Sequence, residues 1–213
     1  SPHAARAPSV GRTSSAAKAP ASKVAAAKAK AKAAPEEPRA SSSWPPKVPF
    51  GPIEDVLPLV AADDDDVDTL YLRPPDTEDS APSFGPEEME YICQCLQKNT
   101  NVTHLNASFN AVGDRGAGHV AQLLSSGGAE ALMRVDLNGC GVGSAGAAAL
   151  AEVLASNTSL QVVELMNNSI GDDGGQALLD MLKKNRKLKQ LQVSFNQISP
   201  EVQAEIDKQL MIR

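Results

Sequence analysis

Apolar residues in most of this chain change their spacing on a fixed cycle. A short alternation, as in Leu160, Val163 and Leu165, gives way after a polar corner to positions three or four apart, as in Leu178, Leu179, Met181 and Leu182. Alternation marks a strand with one buried face, and the wider spacing marks a helix with one apolar stripe. Then the cycle restarts. Leu132-Met-Arg-Val135-Asp-Leu137-Asn-Gly-Cys140 aligns with Leu160-Gln-Val-Val163-Glu-Leu165-Met-Asn-Asn168 and with Leu188-Lys-Gln-Leu191-Gln-Val193-Ser-Phe-Asn196, each step being 28 residues. Val102-Thr-His-Leu105-Asn-Ala107-Ser-Phe-Asn110 stands 30 residues upstream of the first, with the two extra residues in Ser125-Ser-Gly-Gly128. A degraded fifth copy, Val67-Asp-Thr-Leu70-Tyr-Leu72, precedes by 35, its insertion being the polar, proline-containing stretch 74–84.

The pattern predicts an α/β solenoid with strands near 69–73, 103–107, 133–137, 161–165 and 189–193. They form one curved parallel sheet, with helices on the convex side. The helical stripes are Met89/Ile92/Cys93/Leu96, Val120/Leu123/Leu124, Leu150/Val153/Leu154 and Leu178/Leu179/Met181/Leu182, which read as core. Small residues from Ala145 to Ala149 let one helix approach its neighbours closely. Residues 53–62 read as a short helix over the first strand, ended by the acidic run 63–66. At the other end Ser199 reads as an N-cap and Pro200 as the first helical residue. Val202, Ile206 and Leu210 then make an inner face, while Glu201, Glu205, Asp207 and Lys208 form a polar cap expected to complete the solenoid on that side. In this register Leu165 is core, and Gly127, in a loop, is expected to tolerate alanine.

The run L-x-x-L-x-L-x-x-N/C, followed by an apolar residue, Gly and a helix, resembles leucine-rich repeats of the ribonuclease-inhibitor type. The resemblance covers roughly residues 53–213. It implies that Asn110, Asn168 and Asn196 form the family's asparagine ladder and that Cys140 is a permitted substitute there. Cys140 is accordingly expected to be a buried structural thiol.

Charge divides the chain in two. Residues 1–50 carry nine Lys/Arg against Glu36 and Glu37; the whole chain is −6, so residues 51–213 sum to −13. Residues 1–50 form a basic Ala/Pro/Lys/Ser-rich arm with almost no large apolar side chain, expected to be disordered or extended alone. Residues 51–213 form the repeat domain. The arm suits an acidic surface, whereas the acidic body does not suit phosphates, so nucleic acid is not favoured. The acid-free first 35 residues also fit an organellar presequence, and Ser1 fits either a processed or an internal start. No apolar run reaches membrane-spanning length. Cys93 and Cys95, two apart on a helix, should point to different faces, and the three cysteines make no disulfide or zinc framework.

Several motifs carry weaker chemistry. Gly141-Val-Gly143-Ser-Ala-Gly146 matches a dinucleotide-binding fingerprint, but Gly113/Gly116 and Gly171/Gly174 repeat two of its glycines in register, so it reads as the repeat's own turn. Asp63–Asp66 reads as a solvated acidic turn, since calcium loops space their ligands alternately. His3, His104 and His119 show no metal spacing. No catalytic set, metal site or cofactor loop emerges, and neither enzyme activity nor a cofactor is expected. The resemblance instead implies a non-catalytic interaction subunit, holding several proteins in a large assembly. A ciliary axoneme or other cytoskeletal complex is favoured; a mitochondrial or plastid accessory subunit, a small-GTPase regulator and an actin-end cap are the alternatives.

Contacts are expected on the concave face, where strand residues between the core leucines stand in columns: Tyr71, Arg73, His104, Asn106, Arg134, Asp136, Glu164, Met166, Gln190 and Gln192. Tyr71, Arg134 and Met166 are the expected anchors, because interface cores favour Tyr, Arg and Met. A second contact is expected from Lys183, Lys184, Arg186 and Lys187 and from Trp44, although for Trp44 the favoured reading is that it covers the open end of the repeat core with Phe50.

Overall fold

The structure, a computed structural model, describes residues 57–58, 60–63, 65, 68–72 and 84–212. Among the described residues five strands, β1 (Thr69–Tyr71), β2 (His104–Asn106), β3 (Arg134–Asp136), β4 (Val162–Glu164) and β5 (Gln190–Gln192), alternate with five helices. These are α1 (Pro86–Leu96), α2 (Gly113–Ser125), α3 (Ser144–Leu154), α4 (Asp172–Lys184) and α5 (Pro200–Met211). The strands form one parallel sheet in chain order, each pairing with the next. The register sets Leu70, Leu105, Val135, Val163 and Leu191 in one buried row. Every strand falls inside its expected span. The arm, Trp44, Arg73, Asp64, Asp66 and the insertion as far as residue 83 lie outside the described residues.

Strand and helix pack into one core because each repeat sends its alternating leucines and its helical stripe to the same side. Leu132, Leu137, Leu160 and Leu165 from the strand turns meet Leu96, Val120, Leu150, Leu154, Leu178 and Leu182 from the helices, all of them buried. Leu57 and Val60, in the helical turn before β1, are buried as well. Ile206 is the fully buried residue of α5, with Val202 and Leu210 packed beside it.

Where the chain leaves each strand, a side chain ties it to the repeat before. Nδ2 of Asn110 donates to the Leu72 carbonyl at 3.0 Å, that of Asn168 to Leu137 at 2.8 Å and that of Asn196 to Leu165 at 2.8 Å. The Cys140 thiol takes the same role, donating to the Ala107 carbonyl at 3.1 Å. A second series lies at the opposite corner. Oδ1 of Asn99, Asn157 and Asn185 accepts the amides of Val102, Leu160 and Leu188 at 2.7, 2.9 and 2.9 Å, which turns the chain into the next strand. Asn99 and Asn185 are buried and also donate backward, to the carbonyls of Val60 and Leu154.

Helix N-termini are satisfied across repeats. Asp114, in the first turn of α2, accepts the amides of Gly143 and Gly146 at the start of α3, at 2.7 and 2.9 Å. Ser144 Oγ of α3 accepts from Gly171 at 2.9 Å, and Asp172 of α4 accepts from Ser199 at 2.6 Å. A free helix N-terminus exposes unpaired amides and partial positive charge, so an acceptor from the preceding helix meets both needs. The repeated glycines make the approach possible: a Cβ on Gly146 would lie 2.7 Å from Asp114 Oδ1, and one on Gly174 would lie 2.9 Å from Ser144 Cα. Ser199 is the N-cap of α5, but its hydroxyl makes no capping bond.

Cys93 and Cys95 are both buried. Two expectations are corrected. The acidic turn is not simply solvated: Thr100 donates to Asp63 through its amide at 2.7 Å and its hydroxyl at 2.6 Å, and these bonds lower the Asp63 pKa. Gly127 has φ of +74°, so it is not a neutral loop position.

Stability measurements check this arrangement. In urea unfolding, Leu165→Ala should cost about 2–5 kcal/mol, and Gly127→Ala roughly 1–2 kcal/mol through its left-handed backbone. Asp114→Ala should cost about 1–2 kcal/mol. Gly118→Ala, with open space around it, should stabilise by about 0.5–1 kcal/mol, while Gly146→Ala destabilises; equal effects of these two would refute the cross-repeat capping. Burial pushes the Cys93 thiol up to about 12 and that of Cys140 up to about 11, and raises Cys95. All three should therefore stay protonated and unreactive to a thiol reagent at pH 8 until the protein unfolds.

Candidate functional site

Alternation along each strand sends two residues outward for every one sent into the core. The parallel register aligns them in two columns, Thr69, His104, Arg134, Val162 and Gln190 in one, Tyr71, Asn106, Asp136, Glu164 and Gln192 in the other. All the expected strand contacts within the described residues therefore share one face. Met166 follows β4 by two positions and is half-buried. Thr69 and Val162 were not among the expected set, though the same alternation places them.

The middle of the face is occupied by its own ion pairs. Arg134 Nε donates to Asp136 Oδ1 and Oδ2 at 2.9 and 3.1 Å, and Nη2 donates to Glu164 Oε1 at 2.7 Å. His104 Nε2 lies 2.9 Å from Asp136 Oδ2, and Asn106 Nδ2 donates to the same oxygen at 3.4 Å. Asn138, from the loop after β3, donates to Glu164 Oε2 at 2.9 Å and accepts the Met166 amide at 2.8 Å. The network thus runs across β2, β3 and β4. Asp136 is only 3% exposed, and the hydrogen bond to it is the main reason the Arg134 pKa is raised.

These contacts redefine the expected anchors. Asp136 is a buried counter-ion within this network. Arg134 is spread between two carboxylates and helps set a fixed, charged floor. Tyr71 at 56% exposure is the open aromatic of the face, with Gln190 also exposed at the far edge. The His104 imidazole is engaged with Asp136. Among the described residues, no group of His, Cys, Asp and Glu could hold a metal ion, and no helix is long and apolar enough to cross a membrane.

The strand exits add residues that the sequence reading passed over. Phe109, Asn167 and Phe195 hold the same position in successive repeats, with φ of 63°, 55° and 59°, where Gly139 has 62°. Left-handed geometry is unusual for a bulky residue and marks a conformation imposed by its surroundings. The Phe109 ring covers Gly139, whose missing Cβ would lie 2.8 Å from Cδ1. Phe195 is 77% exposed. The recurring Ser-Phe-Asn at 108–110 and 194–196 was the available signal. At the other rim Lys183 pairs with Asp180 at 2.8 Å, and Lys184, Arg186 and Lys187 are exposed.

The network makes a measurable claim about Arg134. Arg134→Ala should lower stability by about 3 kcal/mol, because Asp136 would keep a buried charge with only His104 and Asn106 to answer it. Arg134→Lys should recover only part of this, since an ammonium cannot span both carboxylates as the guanidinium fork does. Full recovery in urea unfolding would show that the fork geometry is unimportant.

Comparison with known proteins bears on the fold. The solved structure of leiomodin-1 actin-binding site 2 superposes with a TM-score of 0.65 at 17% identity, covering 75% of this chain and 87% of that one. The tropomodulin C-terminal domain of Caenorhabditis elegans gives 0.59 at 13% identity, covering 75% and 91%. Identity this low speaks to the fold alone. No curated protein matches the chain in sequence. A leucine-rich-repeat family model matches residues 98–120, 130–151, 156–179 and 184–201, the segments that hold β2 to β5 and the cross-repeat side chains. With five strand-helix turns in register and four family matches along them, residues 98–201 of the chain carry leucine-rich repeats.

Proposed function

We propose that the repeat domain is a non-catalytic protein-binding module of a cytoskeletal assembly, and that its partner lies along the concave face. The observation that carries this reading is the rigid floor formed by Arg134, Asp136, Glu164 and His104. A surface whose charges already hold one another in place loses little conformational freedom on binding, which favours affinity. It also orients a partner by charge pattern. Tyr71, Met166 and Gln190, at its margins, supply the adaptable contacts. Arg73 extends the Tyr71 side in sequence, and Gln192, Asn106 and Val162 fill the columns between.

The cytoskeletal setting is supported by the two similar solved structures, an actin-binding site of leiomodin-1 and a tropomodulin domain. Between the settings considered from sequence, this favours a filament-associated complex, ciliary or otherwise, over a mitochondrial or plastid one. Trp44 and the basic stretch Lys183–Lys187 remain the proposed second contact.

Co-sedimentation of the full chain with actin filaments and, separately, with microtubules tests the setting; binding to neither removes it. With whichever filament binds, Tyr71→Ala combined with Met166→Ala and Gln190→Ala should weaken binding at least about tenfold, or 1.4 kcal/mol, with the melting temperature unchanged. Retained binding by this triple variant, with loss on reversing Lys183, Lys184, Arg186 and Lys187 to Glu, would move the site off the concave face.

A further inference from the structure

The two ends of the solenoid carry opposite charge at the same place in the repeat. With Leu70 set against Leu191, Asp63 corresponds to Lys184, Asp65 to Arg186, Asp66 to Lys187 and Asp68 to Lys189. The twelve residues at these positions in the three intervening repeats include one cation, Lys98, and one anion, Glu130. Corners on this rim touch from one repeat to the next: Thr100 binds Asp63, and Asn101 Nδ2 reaches Asp65 at 3.2 Å. Interior corners are thus near neutral where neighbours meet, and charge is concentrated on the two corners that end the series. Asp65 and Asp68 are exposed, as are Lys184, Arg186, Lys187 and Lys189.

Exposed apolar side chains also gather in the first and last repeats, Tyr71 and Phe195 toward the strand exits and not at the charged corners. Six large ones are exposed among the described residues, and four belong to the first and last repeats: Tyr71 at one end, Phe195, Met211 and Ile212 at the other. Aromatic residues and Met are typical of interface cores. α4 ends in Lys183 and Lys184. The α4 C-terminus would hold two cations for its own dipole, yet Arg186, Lys187 and Lys189 lie beyond that helix.

We propose that a second copy of this chain docks head to tail, the acidic corner before β1 of one against the basic corner before β5 of the other. Opposite poles on one molecule make a heterologous contact, whose repetition gives a ring or an open row of copies and not a closed two-fold pair. The contact runs along the loop rim and strand edges, because α5 turns Glu201, Asp207 and Lys208 outward and does not present an apolar face for continuing the helix layer. It shares Tyr71 with the concave face and Lys184, Arg186 and Lys187 with the proposed second contact, but it needs neither the floor of Arg134, Asp136 and Glu164 nor a filament, so self-association and filament binding are read out separately.

Sedimentation velocity of the full chain over a concentration series tests it at about 50 mM and about 500 mM salt, which span strong and weak screening. Mass should rise with concentration at low salt and fall back toward the monomer at high salt. Reversing one pole, either Lys184, Arg186, Lys187 and Lys189 to Glu or Asp65 and Asp68 to Lys, should weaken association at least tenfold while circular dichroism melting holds. Mixing the two reversed variants should restore it, since each then meets opposite charge at both poles. A wild-type chain that stays monomeric at low salt, a single reversal that associates normally, or a mixture that stays monomeric each overturns the proposal.

Discussion

A repeat of this kind cannot satisfy its own corners, and that constraint governs the rest of the molecule. The chain turns sharply at both ends of every three-residue strand, leaving backbone carbonyls and amides away from water. Unpaired, each would cost more than a hydrogen bond returns. The solution is lateral: Asn110, Cys140, Asn168 and Asn196 reach back to the preceding repeat at one corner, and Asn99 and Asn185 do so at the other. Helix starts follow the same rule through Asp114, Ser144 and Asp172. Each turn is completed by its neighbour, which is why stability in such an array resides largely in interfaces between repeats.

That lateral dependence fixes the geometry of the outward face. Register is held at the corners, so His104, Arg134 and Asp136 arrive at hydrogen-bonding distance without any flexible loop to adjust them. The price of burying Asp136 is offset by three side chains bearing on it, Arg134 from its own strand and His104 and Asn106 from β2, and the result is a polar surface with little slack. A binding site built on strands is positioned more firmly than one built on loops.

The fold was legible because its signal is repeated: buried leucines at 28-residue intervals state strand, helix and parallel order together. The side-chain pairing was not. Arg134 and Asp136 read as two free charges two residues apart, and nothing in the sequence says that Glu164, in the next repeat, completes the set. Asp114 and Asp172 look like ordinary first-turn acids of their own helices, while the amides they serve lie 29 and 27 residues ahead. Gly127 looked interchangeable because sign of φ is invisible in a loop of small residues. Asp63 was hidden in a run of four acids, of which Thr100 selects one.

Cys140 gives the ladder one rung of different chemistry. Asn168 uses its amide nitrogen toward Leu137 and its oxygen toward the Cys140 and Val142 amides, at 2.9 and 3.0 Å. A thiol is a weak donor, and sulfur accepts weakly. That rung is therefore weaker than the asparagine rungs that follow, and the seam between the second and third repeats depends correspondingly more on Asp114, which receives both the Gly143 and Gly146 amides across it. In a linear array, such redundancy between neighbours keeps one weak rung from becoming a break.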